Sequence, residues 1–228
     1  MFIDRWYIIL VVPALLLGLY AQSRVNSTFR RYARVQNMRG LTGAQAARQI
    51  LDSYGLQQVR VEAVAGELTD HYDPRAGAVF LSQSVYGSAS VAAVGVAAHE
   101  TGHAIQHAER YAPLQVRSAI IPVTQLGSTL SPVLICLGLL FSWAPLVQAG
   151  ILLFALVAVF QLVTLPVEYN ASHRALAILD GCGMLTGDEL DGACRVLNAA
   201  ALTYVAALVT TLAQLLRLIL LFGNRRND

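Results

Sequence analysis

The feature that most constrains the fold is a stretch of fifty residues, from Ser118 to Val167, that contains no Asp, Glu, Lys or Arg. A helix that crosses a membrane needs about 20 mostly apolar residues, so the stretch is long enough for two crossings. Trp143, Ala144 and Pro145 predict the turn between them. We therefore expect a transmembrane hairpin, in a chain that is 56% hydrophobic and too apolar for an ordinary soluble domain.

Two further apolar segments, Trp6 to Tyr20 and Tyr204 to Phe222, flank the hairpin. The first has the length of a signal-peptide core, but the arginines that follow it favour an uncleaved anchor. The second contains Arg217, which we expect to extend its charged head to the membrane interface. The pattern predicts a mainly α membrane protein with a small β-sheet element and three to four transmembrane helices.

The arginines also predict an orientation, because cytoplasmic loops of membrane proteins are enriched in positive charge. Residues 23–117 and 168–203 are then cytoplasmic, whereas Arg225 and Arg226 would lie outside if the last segment crosses. That conflict leaves open whether this segment crosses or re-enters. We divide the chain into an N-terminal transmembrane anchor (1–22), a cytoplasmic subdomain (23–117), a transmembrane hairpin (118–167), a second cytoplasmic segment (168–203) and a C-terminal transmembrane or re-entrant helix with its tail (204–228).

Several chemistries are excluded by composition. All sixteen cationic residues are arginine, so the chain has no lysine for a phosphate-binding loop or a Schiff base. The net charge of +2 gives no sign of a nucleic-acid-binding surface, and three unevenly placed cysteines argue against a disulfide framework.

Residues 23–117 predict a small folded subdomain. A helix is expected from Thr42, as its N-cap, to Gly55, because apolar residues recur there at helical spacing. The alternating sequence QVRVEAVAG and the run AVFLS, with the turn-forming residues DHYDPRAG between them, predict two strands. A long Ala-rich helix without proline is expected from Ser88, as N-cap, through His107.

The segment HETGHAIQH on that long helix carries the chemistry. His99 and His103 are four residues apart, so both rings leave the same helix face and can bind one zinc ion, with Glu100 beside the open coordination position. His107 is about 12 Å along the axis from His99, too far to share the ion. The spacing leaves the third ligand open; the candidates are His71, Asp70, Asp73, His173 and Glu168.

The sequence HETGHAIQH followed, after the hairpin, by LPVEYNASHRAL resembles the neutral zinc metallopeptidases of the YugP type, which are bacterial membrane proteins. It is similar, more distantly, to the HtpX heat-shock proteases and the CAAX prenyl proteases. The resemblance covers nearly the whole chain and implies a zincin-like, gluzincin-type site with one Zn²⁺ per chain and Glu168 as the third ligand. The distant relatives have an aspartate that supports a zinc-ligating histidine at the position of Ser172.

These assignments predict a membrane-embedded zinc endopeptidase. Zinc would lower the pKa of a water molecule toward about 7, and Glu100 would accept its proton and pass it to the leaving amine. Ser172, His173 and Arg174 are candidates for stabilising the oxyanion or for supporting the ligands. If residues 78–82 form an edge strand, an extended peptide can add to it. We expect the site to face the cytoplasm at the bacterial inner membrane, with peptides, proteins or membrane proteins as substrates.

Two alternatives remain from the sequence. Site-2-type intramembrane proteases pair HExxH with the aspartate of an LDG motif, and this chain has LDG twice, with Asp180 and Asp191. The other alternative is a catalytically silent, zinc-stabilised membrane scaffold or adaptor, against which the retained Glu100 argues. No sequence feature indicates the substrate or the oligomeric state.

Overall fold

The computed structural model describes residues 4–222. After a π-helical segment at Tyr7–Val11, the elements are α1 (Val12–Tyr32), α2 (Gly43–Ser53), β1 (Arg60–Val64), β2 (His71–Asp73), β3 (Ala78–Ser82), α3 (Gln83–Tyr86), α4 (Val91–Ala108), α5 (Ala112–Leu140), α6 (Ala144–Gly181) and α7 (Asp188–Phe222). The chain forms two compact units. The first unit comprises Met1–Gln22, Gln115–Pro166 and Leu202–Asp228, and the second comprises Ser23–Leu114 and Val167–Ala201. Arg225 and Arg226 lie outside the described residues.

Among residues 4–222, four helices are long and apolar enough to cross a membrane, namely Tyr7–Tyr32, Ala112–Leu140, Ala144–Gly181 and Asp188–Phe222. Large apolar side chains of the first unit are strongly exposed, including Leu126 at 63%, Leu152 at 69% and Leu162 at 60%. Exposing such a surface to water would cost free energy, whereas exposing it to lipid would not. The protein is therefore a mainly α membrane protein, as the uncharged stretch predicts, and the last apolar segment belongs to the long helix α7.

Within the first unit, α5 and α6 pack closely through small residues. A Cβ at Gly150 would meet the side chain of Ile135 at 2.6 Å, and a Cβ at Gly138 would meet that of Val147 at 2.6 Å. The buried hydroxyl of Ser131 donates a hydrogen bond to the carbonyl oxygen of Gly150 at 2.8 Å. Small residues let helix backbones approach where apolar burial gives little driving force, so these contacts hold the predicted hairpin together.

Also in the first unit, Arg217 of α7 does not extend away from the protein. It is 8% exposed, and its Nε donates to Oδ2 of Asp4 at 2.8 Å. The guanidinium also lies over the ring of Tyr7, 5.2 Å from its centroid. The expectation that Arg217 extends to the interface stays a prediction, and the structure adds that Asp4 supplies an opposite charge within reach of its charged head.

The second unit begins with α2, which starts as the sequence predicts. Thr42 is the N-cap, and its side chain and that of Gln45 form a reciprocal capping box. The apolar face of α2, with Ile50 and Leu51 fully buried, packs against α4. The core of this unit also includes Val79, Leu81, Val94, Ile105, Leu179 and Leu185.

The sheet corrects two expectations. It has three strands in the order β1-β3-β2, with β1 parallel and β2 antiparallel to β3. The residues of β2 were expected to form a turn, and an edge position of β3 was the condition for a peptide to add to it. Instead β3 is central, with a strand on each side, and four of its five residues are fully buried because α2, α3 and α4 pack against it. The edge strands are β1 and β2.

The long helix α4 begins two residues later than expected. Ser90 is its N-cap and accepts a hydrogen bond from the backbone N–H of Ala93, whereas Ser88 lies outside the helix and donates its hydroxyl to Ser90. Alanine and glycine on α4 allow close packing, and a Cβ at Gly95 would lie 3.2 Å from that of Ala193 in α7. The helix thereby holds His99 and His103 rigidly within the core of the second unit.

Candidate metal centre

Three side chains of the second unit converge on one point. His99 and His103 project from α4, and Glu168 projects from the part of α6 that belongs to this unit. Oε2 of Glu168 lies 3.4 Å from Nε2 of His99 and 3.5 Å from Nε2 of His103. One ligand atom from each residue lies within 4.8 Å of the others. Within residues 4–222, this is the group of His, Cys, Asp and Glu side chains with the geometry to hold a metal ion.

The geometry follows from the helix. Residues four apart lie on one helix face, and the two imidazole rings are edge-to-face with centroids 4.7 Å apart. Glu168 is 3% exposed, so its carboxylate is withdrawn from water and faces both rings. A buried charge of this kind is costly unless it is paired or coordinates a metal.

The second nitrogen of each ring is held by a neighbour. Nδ1 of His99 is 3.1 Å from the hydroxyl of Ser172, and Nδ1 of His103 is 3.0 Å from Oε1 of Gln106. With both Nδ1 atoms engaged, both Nε2 atoms face Glu168. Such outer partners fix the ring orientation of metal-binding histidines.

The electrostatics of the site favour a cation. Burial by itself lowers the pKa of His103, but the hydrogen bond to Glu168 and the negative charges of Glu100 and Glu168 outweigh burial, so the pKa of His103 is raised. Glu100 is also buried, at 8% exposure. The two carboxylates together therefore create a negative potential where the Nε2 atoms meet.

A zinc ion fits this donor set. Two imidazole nitrogens and one carboxylate oxygen are the ligands of one class of catalytic zinc site, in which the remaining position is open to water or substrate. Ligand atoms at about 2.1 Å from a common ion lie about 3.5 Å apart, which matches the Nε2–Oε2 distances. Glu100, on the same helix as the two histidines, supplies a carboxylate that is not part of the cluster.

Ser172, His173 and Arg174, the candidates for stabilising the oxyanion or supporting the ligands, have different surroundings. Ser172 is buried and contacts His99, whereas His173 is exposed. Arg174 binds away from the cluster: its Nε donates to Oδ1 of Asn170 at 2.7 Å and its Nη1 to Oε2 of Glu109 at 2.6 Å.

The remaining ligand candidates have other partners. His71 stacks on Phe80, and Asp73 accepts a hydrogen bond from the backbone N–H of Arg75. Asp70 accepts hydrogen bonds from the backbone N–H and hydroxyl of Ser82. Burial raises the pKa of Asp70, although the hydrogen bonds from Ser82 oppose the shift.

His107 lies outside the cluster, as the helical rise predicts. Its Nδ1 is 3.1 Å from the hydroxyl of Tyr72 in β2. Asp180 and Asp191, the aspartates of the two LDG motifs, are both exposed. Within the described residues, none of these three side chains joins the metal-binding group.

The comparisons with known proteins agree with this chemistry. A family model described as "Putative neutral zinc metallopeptidase" matches residues 7–223. The chain belongs to this family. The protein named "Putative membrane protease YugP" from Bacillus subtilis (strain 168) is 46% identical over 222 residues, which cover 97% of this chain and 99% of that protein. No solved structure matches the chain.

In this member of the neutral zinc metallopeptidase family, the sequence analysis missed one residue that touches the cluster. Gln106 is fully buried and contacts His103, yet the sequence analysis assigns it no role. The available signal was its position three residues after His103, which places both side chains on one helix face. Asn170, two residues after Glu168, binds Gln106 in turn.

Proposed function

We propose that this membrane zinc metallopeptidase is an endopeptidase with one Zn²⁺ per chain, held by His99, His103 and Glu168. The observation that carries the proposal is the convergence of Nε2 of both histidines with Oε2 of Glu168, beside a buried glutamate on the same helix. A structural zinc site would close the fourth position with another protein ligand. Within the described residues the cluster has three members, which supports an open, catalytic position.

Glu100 is the proposed general base. When bound, zinc polarises a water molecule and brings its pKa toward about 7. The Glu100 carboxylate then accepts the water proton as the peptide carbonyl is attacked, and returns it to the nitrogen of the leaving amine. Burial of Glu100 supports this role, because a carboxylate shielded from bulk water passes its proton to the substrate rather than to solvent.

The substrate is proposed to bind as an extended peptide along β2. This strand is bonded to β3 on one side and, within the described residues, has no strand on its other side. It contacts α4, and Tyr72 of β2 touches His107, one turn beyond His103. An edge strand offers backbone hydrogen bonds to peptides of any sequence, so unfolded segments of proteins, including membrane proteins, fit this mode.

The proposed location is the cytoplasmic face of the bacterial inner membrane. Arg24, Arg30, Arg31, Arg34 and Arg39 follow the first apolar segment, and the second unit contains all five. Positive charge beside a membrane-spanning helix marks its cytoplasmic end. The second unit also contains the metal-binding group, so the catalytic chemistry would take place on the cytoplasmic side.

The experiment that tests the activity compares detergent-purified wild type with Glu100→Gln, Glu168→Ala and Asp180→Ala. We expect the wild type to bind one zinc and to cleave casein. Glu100→Gln keeps the zinc and loses cleavage, Glu168→Ala loses the zinc, and Asp180→Ala matches the wild type.

Other results would point elsewhere. Zinc loss in Asp180→Ala, with full zinc in Glu168→Ala, would favour the site-2-type arrangement. Full zinc binding in every variant without any cleavage by wild type would favour the silent scaffold. Equal cleavage by wild type and Glu100→Gln would remove Glu100 from its role as general base.

The orientation has a separate test that uses Cys182, which is exposed in the second unit. With Cys136 and Cys194 changed to serine, a membrane-impermeant maleimide should label Cys182 in inverted membrane vesicles but not in intact spheroplasts. Labelling in intact spheroplasts would place the second unit on the outside.

A further inference from the structure

A chain of hydrogen bonds runs from the surface to Nδ1 of His103, the ring nitrogen that faces away from Glu168. The amide of Gln106 is its innermost member, with Oε1 3.0 Å from Nδ1 of His103. Its Nε2 lies 2.9 Å from the carbonyl oxygen of Val167 and 2.9 Å from Oδ1 of Asn170. The side chain is 0% exposed, so water cannot replace any of these partners.

The direction of every bond in this chain is set by groups that can only accept or only donate. The carbonyl oxygen of Val167 accepts from Gln106, so the atom of Gln106 that faces it is the amide nitrogen. The outer end of the chain imposes the same orientation. Arg174 has only donors, so the side-chain atom of Asn170 that faces its Nε at 2.7 Å must be the oxygen. That oxygen can bind Gln106 only if Gln106 presents its NH₂ group. Oε1 of Gln106 then faces His103, whose Nδ1 must carry the hydrogen. Glu109 holds the guanidinium of Arg174 from the other side, at 2.6 Å.

The consequence for His103 is a defined tautomer. A neutral imidazole with hydrogen on Nδ1 has its lone pair on Nε2, the atom that lies 3.5 Å from Glu168. Without this constraint, both tautomers of a neutral histidine are accessible, and the one with hydrogen on Nε2 cannot bind a metal through that atom. Nε2 of Gln106 also donates to the carbonyl oxygen of Val167, the residue before Glu168. This bond links α4 to α6 next to both ligand-bearing residues.

We propose that Gln106 is a positioning residue, which sets the tautomer of His103 and the register of α4 against α6 through an amide that the carbonyl of Val167 and Oδ1 of Asn170 hold in one orientation. The effect on metal affinity rests on the proposed zinc site, whereas the effect on the tautomer does not. This role differs from simple core packing, because it depends on which end of the Gln106 amide faces His103.

The test measures two quantities: the zinc dissociation constant, and the tautomer of His103 by ¹⁵N NMR of metal-free protein at a pH at which the imidazole is neutral. Gln106→Leu preserves most of the volume and removes all three hydrogen bonds. We expect its zinc affinity to fall about 10- to 100-fold, the range typical of partners of metal-binding histidines, and His103 to populate both tautomers. Thr101→Val is the matched control, because Thr101 is fully buried on α4 and bonds the carbonyl of Ala98.

A second pair of variants keeps the test decisive if Gln106→Leu does not fold. Asn170 is only partly buried. Asn170→Leu removes one acceptor but leaves the carbonyl oxygen of Val167 to hold the Gln106 amide, so we expect the wild-type tautomer and a smaller loss of zinc affinity than in Gln106→Leu. Gln106→Met has nearly the shape of glutamine and removes all three hydrogen bonds, so we expect mixed tautomers.

Two results would overturn the inference. One is an unchanged His103 tautomer in both Gln106→Leu and Gln106→Met, which would reduce the amide to a packing contact. The other is an equal change of tautomer in Asn170→Leu and in the two Gln106 variants, which would show that the bond to Val167 does not hold the amide. If the wild type binds no zinc, the proposed zinc site fails, but the tautomer comparison in metal-free protein still decides the role of Gln106.

Discussion

A Cβ atom at Gly102 would lie 2.8 Å from the backbone carbonyl oxygen of Ala171. Gly102 precedes His103 on α4, and Ala171 lies three residues after Glu168 on α6. The absence of a side chain at this position lets the two helix backbones approach closely between their metal-binding residues. Gly102, the second x of HExxH, therefore contributes to the site by its lack of a side chain.

Gly102→Ala should separate the two helices. Overpacking a rigid contact costs about 1–3 kcal/mol, which exceeds the gain of up to about 1 kcal/mol expected for Ala over Gly within a helix. We expect a lower melting temperature and weaker zinc binding, measured by thermal unfolding and by isothermal titration. Gly18→Ala is the control, because nothing lies within 4 Å of a Cβ at Gly18. Unchanged zinc affinity in Gly102→Ala would mean that the helix spacing does not set the site.

The sequence predicts the parts of this molecule that local rules determine. The uncharged stretch from Ser118 to Val167 predicts the helical hairpin, and Thr42 as N-cap predicts the start of α2. His99 and His103 follow from helical spacing alone. Glu168 does not, because its approach depends on how α6 packs against α4. Its assignment as the third ligand came from the resemblance.

The errors arise where long-range pairing decides the structure. His71–Asp73 forms β2, although a three-residue strand flanked by Asp70 and Pro74 is too short to show alternation. The central position of β3 depends on two strands that approach from opposite sides, and no local pattern gives strand order. Likewise, Gln106 looks like an ordinary polar residue until its partners on α6 are known.

Ser172→Ala should weaken zinc binding by about tenfold, because His99 would lose the hydroxyl that holds its Nδ1. The matched control is His173→Ala, which changes the neighbouring exposed side chain and should leave the zinc dissociation constant unchanged. Both constants can be measured by competition with a chelator of known affinity. A larger effect of His173→Ala than of Ser172→Ala would reverse the roles that we assign to these residues.

Asp70 should make the protein less stable as pH rises. Burial raises its folded-state pKa above the ordinary value of 3.8, so the folded protein binds the Asp70 proton more tightly than the unfolded chain does. This contribution to stability is complete below pH 3.8 and is lost as pH rises through the folded-state pKa. In Asp70→Asn, the amide oxygen can still accept from the backbone N–H of Ser82 and the amide nitrogen can donate to its hydroxyl.

The measurement is the melting temperature of both proteins across this pH range. We expect Asp70→Asn to gain stability relative to wild type as pH rises from about 4, and then to reach a plateau. A difference that stays constant with pH would show that Asp70 has the same pKa in the folded and unfolded states. If Asp70→Asn instead loses stability relative to wild type as pH rises, the hydrogen bonds from Ser82 lower the pKa of Asp70 by more than burial raises it.

Asp4 and Arg217 provide the last prediction, because removing one member of a partly buried ion pair is worse than removing both. Asp4→Ala removes the carboxylate that accepts from the Arg217 guanidinium, so we expect a drop in melting temperature in detergent. Asp4→Ala combined with Arg217→Met should recover much of that loss, since methionine fills the space without charge. Glu67→Ala, the loss of an exposed acid, should have little effect. If Arg217→Met alone destabilises the protein while Asp4→Ala does not, then the contact of Arg217 with Tyr7, rather than the ion pair, stabilises this part of the first unit.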